Sequence, residues 1–455
     1  MSKRFYRIRT IDSLLDKYKE LENQEIFFQS TDKLNDPMEG FMDFIFKGDE
    51  IVWKNLIIHF IFCFQKVNFI YKVVGEKTKL DNKIIPIYEI IDLQKKQLYF
   101  NSLSDSNKSK FYEFIKKDNI SRNELETFLK EINYSLLKDF VSLENEIFKN
   151  KNLRNLQFLF NFYYYYLEAI EQFAYPKYYI ASFLEEPYNS SVWGHYGKNH
   201  TGVCLIFETN NEMEIPFLNV ICGSDGFKNI YAKLGIKLKE VHYSGNFEEI
   251  NFFESLGKIP RPLVKSFYID ENKNKSRFYD TVLNNQEEWR GQFWNKYETN
   301  KLVKTKDWEY EKEYRLVFNR LMDYEIAEKD RKLKYDFSCL KGVIFGIKTP
   351  QNKKDEIIEV IKNKCHENKI SDFEFYQAFY CKKLKNIQHK KLNINIIDDL
   401  IKKAIEEKVD SNIKFLSFNQ NSKELENNIH KSIERIKELE KIKSTLKQYL
   451  YKSEK

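Results

Sequence analysis

Glu311, Glu313 and Arg315 occupy alternate positions in the segment 304–318, KTKDWEYEKEYRLVF. Read as a strand from 313, that period puts Tyr314, Leu316 and Phe318 on an apolar face and turns Glu311, Glu313 and Arg315 together to the other. Two carboxylates and a guanidinium side by side could take part in catalysis. The same spacing also makes Arg315 a salt-bridge partner for Glu313, and both readings stand. A second group lies in 188–208, YNSSVWGHYGKNHTGVCLIFE, where Trp193, His195, Tyr196, Lys198, Asn199 and His200 mix aromatic, basic and hydrogen-bonding groups. Such a set could stack on a flat ring and contact phosphate or carboxylate, with two imidazoles that titrate near neutrality. Trp193 and Tyr196 are also at helical i, i+3 spacing, which fits an aromatic pair capping the core. Arg7 and Arg9 alternate along the first strand, and Asn35, Asp36 and Pro37 form a turn.

The elements that must position these groups follow from periodicity. Arg4 to Arg9 alternates as a strand, 11–21 shows one apolar helical face, and 26–28 is a second short strand. Residues 60–175 are mostly helical: Ser121 and Glu124 fit a capping box ahead of Leu125, Phe128, Leu129 and Ile132, and 152–174 is a further helix whose aromatic tract suits the core. Val203 to Phe207 is a continuous apolar run, as in a strand covered on both faces. Strands are predicted at 217–222, 238–243, 313–318, 341–347 and 373–380, with helices over 262–300 and 353–364. Beyond about residue 390 the composition shifts to Lys, Glu, Asn and Ile. There Ile429, Ile433, Ile436, Leu439, Ile442, Leu446 and Leu450 make a coiled-coil or partner-helix stripe. The expected fold is α+β: a mixed sheet core with a large helical insertion and a C-terminal helical extension. The expected segments are 1–59 and 176–385 for the core, 60–175 for the insertion and 386–455 for the extension, with self-association or a protein partner through 425–450.

Composition excludes several classes. The chain of 455 residues is 42% hydrophobic and has only 14 Gly and 8 Pro, so it folds around a substantial core. Its charge of +7 is a small difference between 75 basic and 68 acidic residues, a weak pull toward a polyanion such as nucleic acid. Six separated cysteines, with no Cys-x-x-Cys pair, point to reduced thiols. No signal-peptide core opens the chain, and the apolar run 56–64 is too short to span a bilayer, so a cytoplasmic protein with no membrane contact is expected. No metal is expected either, since the histidines are scattered, and no phosphate-loop or dinucleotide fingerprint occurs.

Five segments occur in order over 4–350: YRIRTIDSLL, IFFQSTDKLNDPMEG, SSVWGHYGKNHTGVCLIFE, WEYEKEYRLVF and GVIFGIKTP. Together they resemble the bacterial family called domain of unknown function 2971, whose marks here are the Asn35-Asp36-Pro37 turn, Trp193 and Tyr196 ahead of Gly202-Val203-Cys204, and Glu313-Tyr314-Arg315. The order of basic strand, aromatic segment and late glutamate is also similar to the ADP-ribosyltransferase superfamily. That resemblance implies a stress or antiphage-defence enzyme acting on a nucleotide, with NAD as candidate substrate. It implies catalytic roles for Glu313, Glu311 and His195, with Glu313 stabilising the oxocarbenium-like sugar and Glu311 activating the acceptor. Substrate binding would fall to Arg7, Arg9, Asn35, Asp36, Trp193, Tyr196, His200 and Arg315, the arginines holding the diphosphate and Trp193 or Tyr196 stacking on nicotinamide. The alternative is a non-enzymatic module that binds nucleic acid or protein and associates through its C-terminal helix.

Overall fold

A computed structural model of the chain describes residues 2–40, 43–74, 79–142, 153–224, 228–319 and 326–394. The coiled-coil stripe at 425–450 lies outside the described residues. The chain divides into two compact units: Met1–Glu25, Glu186–Leu218 and Lys334–Lys455 form the first, and Ile26–Glu185 and Asn219–Leu333 the second.

In the first unit, the strands run Arg4–Arg9, Val203–Glu208, Leu340–Phe345, Glu374–Cys381 and Asn386–Lys391 across the sheet. All neighbours are antiparallel except Leu340–Phe345 with Glu374–Cys381, which are parallel. A parallel pair needs a crossover, and the helix Gln351–Asn368 supplies it, burying Ile357, Ile361 and Cys365 completely. Val203 to Phe207 is at most 4% exposed along its whole length, the pattern of a strand covered on both faces. Gly202 precedes it because a Cβ there would lie 2.5 Å from the Arg9 carbonyl oxygen. The strand Asn386–Lys391 lies near the compositional change and is pinned to Glu374–Cys381 by six register pairs.

The predicted helix over 11–21 is instead two turns, Asp12–Asp16 with π-type hydrogen bonding and Glu20–Asn23 with α-type. Lys19 breaks them in the left-handed region at φ 49°. The break brings Glu20, 5% exposed, inward against Arg9.

The second unit combines helices with a small antiparallel sheet ordered Gln29–Ser30, Tyr179–Leu184, Glu313–Phe318 and Lys239–Glu240. The strand at 238–243 is thus shorter than predicted, His242 contributing only an isolated bridge to Val303. The central helix is Glu50–Val74, and its part from Glu50 to Val73 is long and apolar enough to cross a membrane, which corrects the nine-residue limit set by the run 56–64. Its side chains nevertheless line a protein core: Trp53, Leu56, Phe60 and Cys63 are at most 1% exposed. Polar groups on it are also spent internally. Asn55 donates to the Phe267 and Ile269 carbonyls at 2.8 and 3.1 Å, and Lys96 donates to the Asn55 side-chain oxygen at 2.7 Å.

The capping box forms as predicted, with Ser121 N–H donating to Glu124 at 3.1 Å and Glu124 N–H to Ser121 Oγ at 3.4 Å. The predicted helix 152–174 divides at Asn161 into Leu153–Phe160 and Phe162–Ala174. Buried Asn133 donates to the Leu159 and Phe160 carbonyls, both at 3.1 Å, which satisfies acceptors the break leaves without intrahelical donors. The aromatic tract is core at Tyr163 and Tyr166, whereas Tyr164 is exposed and donates to Glu168.

Candidate functional site

The second unit gathers charge from three places in the chain. In the turn after Ser30, Asp36 accepts the Met38 N–H at 2.9 Å and Glu39 N–H donates to the Asp36 carbonyl at 3.0 Å. Gly40 at φ 75° lets the chain reverse where a Cβ would meet Thr31 at 2.5 Å. This turn delivers the Glu39 side chain, 3% exposed, to the interior. In the strand Glu313–Phe318, period-two geometry puts Glu313 and Arg315 on one face. Glu311 arrives differently from its predicted place in that strand, as the last residue of the 3₁₀ turn Lys306–Glu311. There Lys312 at φ 45° reverses the chain. Lys304 is fixed by its own N–H, which donates to the His242 carbonyl at 3.0 Å.

These side chains form one hydrogen-bonded cluster. Arg315 donates from Nε to Glu313 Oε1 at 3.0 Å and from Nη2 to Glu313 Oε2 at 3.1 Å, Nη2 also reaching Glu39 Oε1. Its Nη1 donates to the Lys301 carbonyl at 2.8 Å. Lys304 Nζ donates to Glu311 Oε2 at 2.8 Å and Glu313 Oε2 at 3.1 Å, lies 3.7 Å from Glu39 Oε2, and sits over the Trp308 ring at 4.7 Å. The Tyr243 hydroxyl accepts the Glu313 N–H at 2.6 Å, and Thr305 donates to Asp36 Oδ2 at 3.5 Å. No side chain in the core of the cluster is more than 5% exposed.

Three glutamates against two cations leave one negative charge in excess when all are ionised. Burial is therefore decisive. Burial pushes Glu39 up to about 7, with Glu313 and Asp36 repelling its charge and Arg315 and Lys304 opposing the rise. Burial acts on Glu313 in the same sense, but Arg315 and Lys304 overcome it and hold that carboxyl well below the ordinary carboxylate range. Lys304 is raised despite burial because Glu313, Glu39 and Glu311 all face it. The two neighbours therefore separate in proton affinity, Glu39 upward and Glu313 downward. A buried site with one carboxyl poised near pH 7 beside another held anionic can carry acid–base chemistry.

Of the residues singled out from sequence, Glu311, Glu313, Arg315 and Asp36 come together here, while Asn35 is exposed on the same turn. Glu39, Lys304 and Tyr243 were missed. Arg7, Arg9, Trp193, His195, Tyr196 and His200 belong to the first unit. Trp193 is 1% exposed and donates Nε1–H to the Pro187 carbonyl at 2.7 Å, which makes it a core residue and corrects its assignment as a ring-stacking surface. Its helix, Ser190–Tyr196, is capped by Asn189 and leaves His195 exposed and Tyr196 half-buried. His200 Nδ1 is buried without a hydrogen-bond partner, and burial together with Lys348 lowers its proton affinity. Arg9 grips Glu20 bidentately, Nε to Oε2 at 2.7 Å. Arg7, 7% exposed, is pulled down to about 9 by burial and by Arg9, against the attraction of Glu20.

Fold and cluster together define an α+β protein with a buried cluster of carboxylates held by one arginine and one lysine. Residues 192–316 match the family described as protein of unknown function (DUF2971), a span that includes Tyr243, Lys304, Glu311, Glu313 and Arg315 but neither Asp36 nor Glu39. No curated protein and no solved structure matches the chain.

Proposed function

We propose that the protein is an enzyme acting on a nucleotide, with NAD as substrate and ADP-ribosyl transfer as the reaction. The observation that supports this reading is the division of proton affinity inside one buried cluster, Glu39 poised near neutrality and Glu313 held anionic. In the reaction, the bond from ribose C1′ to nicotinamide breaks and its electron pair leaves with the ring nitrogen, cancelling the pyridinium charge. The oxocarbenium ion so formed is stabilised by the anionic Glu313, with Glu311 beside it on Lys304. A lone pair of the acceptor closes on C1′, and the acceptor's proton passes to ionised Glu39, which returns it to solvent. Tyr243 and Trp308 touch the cluster and are themselves half-buried, and on this reading a substrate approaches past them. The test is nicotinamide release from NAD by the full-length protein, with Glu39→Gln and Glu313→Gln as controls. Release that both substitutions abolish supports the reading. Absence of release, with no modification of nucleic acid or of cell lysate, overturns it.

One feature of the second unit favours another reading, the binding of single-stranded nucleic acid. The strand Asn229–Lys237 exposes Ile230, Tyr231 and Leu234 beside exposed Lys233 and Lys237, an aromatic and basic surface of the kind that stacks bases and tracks phosphates. That reading expects affinity that falls steeply with salt and is lost in a Tyr231→Ala, Lys233→Glu variant, while Glu313→Gln leaves it intact.

A further inference from the structure

The second unit also contains a cavity of about 280 Å³, lined from Ile250–Asn251 and the helices Phe278–Leu283 and Gln286–Asn300. One wall is an aromatic ladder. Trp289, Phe293 and Tyr297 recur every four residues on one helix face, with centroid spacings of 4.9 and 6.2 Å and planes within 15° and 10° of parallel. Tyr175 packs on Tyr297 at 4.4 Å.

Polar atoms along the inner wall are already committed. Trp289 Nε1–H donates to the Glu254 carbonyl at 2.6 Å, the Tyr297 hydroxyl to the Pro176 carbonyl at 3.1 Å and the Tyr175 hydroxyl to the Tyr297 carbonyl at 2.9 Å. Asn251 exchanges hydrogen bonds with the backbone of Lys47 at 3.2 and 3.0 Å, and Ser255 donates to the Asn251 carbonyl at 2.9 Å. The polar atoms of the aromatic wall are thus engaged, and its rings face the cavity without free donors.

The mouth differs. Arg277 and Lys296 both line the cavity and both are exposed. Among the described residues neither side chain forms an ion pair, although the Arg277 N–H donates to Asp49 Oδ2 at 2.8 Å and its guanidinium lies 4.7 Å from the Phe278 ring; the carboxylate of Glu254 accepts from Asn251 Nδ2 at 3.0 Å.

We propose that this cavity binds a small planar ring carrying one anionic group, the ring against the aromatic wall and the anion at the mouth with Arg277 and Lys296. The volume sits just under the range of about 300–1,000 Å³ for small-molecule pockets, which suits one ring system and not a dinucleotide. The site is thus distinct from the proposed reaction centre and independent of it. Two sources share the chemistry, an aromatic carboxylate and a mononucleotide. Calorimetric titration of the full-length protein with nicotinate against nicotinamide, and AMP against adenosine, separates them. At least one anion binds about tenfold tighter than its neutral counterpart, as expected for two unpaired cations near the surface. That preference disappears in the double variant Arg277→Ala, Lys296→Ala, and binding itself is lost in Thr281→Trp, which fills the mouth. Circular dichroism spectra and melting temperatures matching the wild type establish that both variants are folded. Glu39→Gln leaves the titration unchanged, so this site and the NAD reading stand or fall separately. Equal binding of charged and neutral partners, a preference that survives the double variant, or no binding by either pair at millimolar concentration overturns the proposal.

Discussion

Glu39→Gln gives the sharpest test of the mobile proton. The Glu39 carboxyl rises from 4.5 to about 7 through burial, and each tenfold step in proton affinity is worth 1.36 kcal/mol, so the shift is linked to about 3 kcal/mol of stability. Its sign is fixed by the direction. Over pH 4.5 to 7 the folded chain keeps a proton that the unfolded chain has released, so this contribution is complete below pH 4.5 and fades as the pH rises through about 7. Gln has the shape of the protonated acid but cannot ionise. Urea unfolding at half-unit steps from pH 5 to 8 should therefore show the wild type losing about 3 kcal/mol relative to Glu39→Gln across that window. Glu313→Gln behaves oppositely. Its carboxyl is held low by Arg315 and Lys304, so its contribution is present above the ordinary carboxylate range and lost on acidification. At neutral pH the substitution should cost about 3–5 kcal/mol, the usual result of stripping one partner from a buried ion network. If wild type and Glu39→Gln follow the same pH profile, Glu39 does not titrate between pH 5 and 8 and the acid–base assignment collapses.

Three further perturbations probe the framework. His59 is fully buried between the Tyr166 hydroxyl at 2.8 Å and the Ile87 carbonyl at 3.1 Å, and burial lowers it from 6.5 to about 4. Stability should fall by about 3 kcal/mol as the pH drops through that window, a limb that His59→Gln removes from the acid unfolding curve. Ser121→Ala deletes one half of the capping box and should cost about 1 kcal/mol in urea unfolding; no change would mean that Glu124 alone secures that helix end. Trp193→Ala should cost about 3–5 kcal/mol, as for a large core aromatic. A stability loss under 1 kcal/mol with abolished activity would restore the stacking role instead.

Short-period signals in the sequence survive folding well. The run Val203 to Phe207, the alternation at Glu313–Phe318 and the Ser121–Glu124 box each state a local geometry that neighbouring elements then use without altering it. Longer periodic patterns break where a polar contact outweighs them. The apolar face over 11–21 is interrupted because Glu20 turns in to meet Arg9, and 152–174 is divided where Asn133 captures two carbonyls. No single-sequence pattern announces such contacts, since the partners are remote: Asn133 lies 26 residues from Leu159. The cluster was legible to the same degree. Period two pairs Glu313 with Arg315, and the Asn-Asp-Pro turn marks Asp36. The inward aim of Glu39, however, depends on the left-handed Gly40, and Lys304 is one of many lysines until the His242 carbonyl fixes its backbone.

Glu39 is also what separates this cluster from an ordinary internal salt bridge. Arg315 and Lys304 are sufficient to neutralise Glu311 and Glu313, and a network limited to those four would have balanced charge with no reason to hold a titrating proton. Adding a third buried glutamate, with Asp36 hydrogen-bonded nearby, gives the site one carboxylate more than its cations can satisfy. In a dry interior that excess is relieved most cheaply by protonation, because an uncompensated buried charge costs several kcal/mol while a protonated acid can donate a hydrogen bond. Between Glu313 and Glu39 the partners are unequal: Arg315 gives Glu313 two hydrogen bonds and Lys304 a third, whereas Glu39 shares Arg315 Nη2 with Glu313 and stands 3.7 Å from Lys304. The less satisfied of these two carboxylates is the one whose proton affinity rises, and that division follows from the geometry of the two cations.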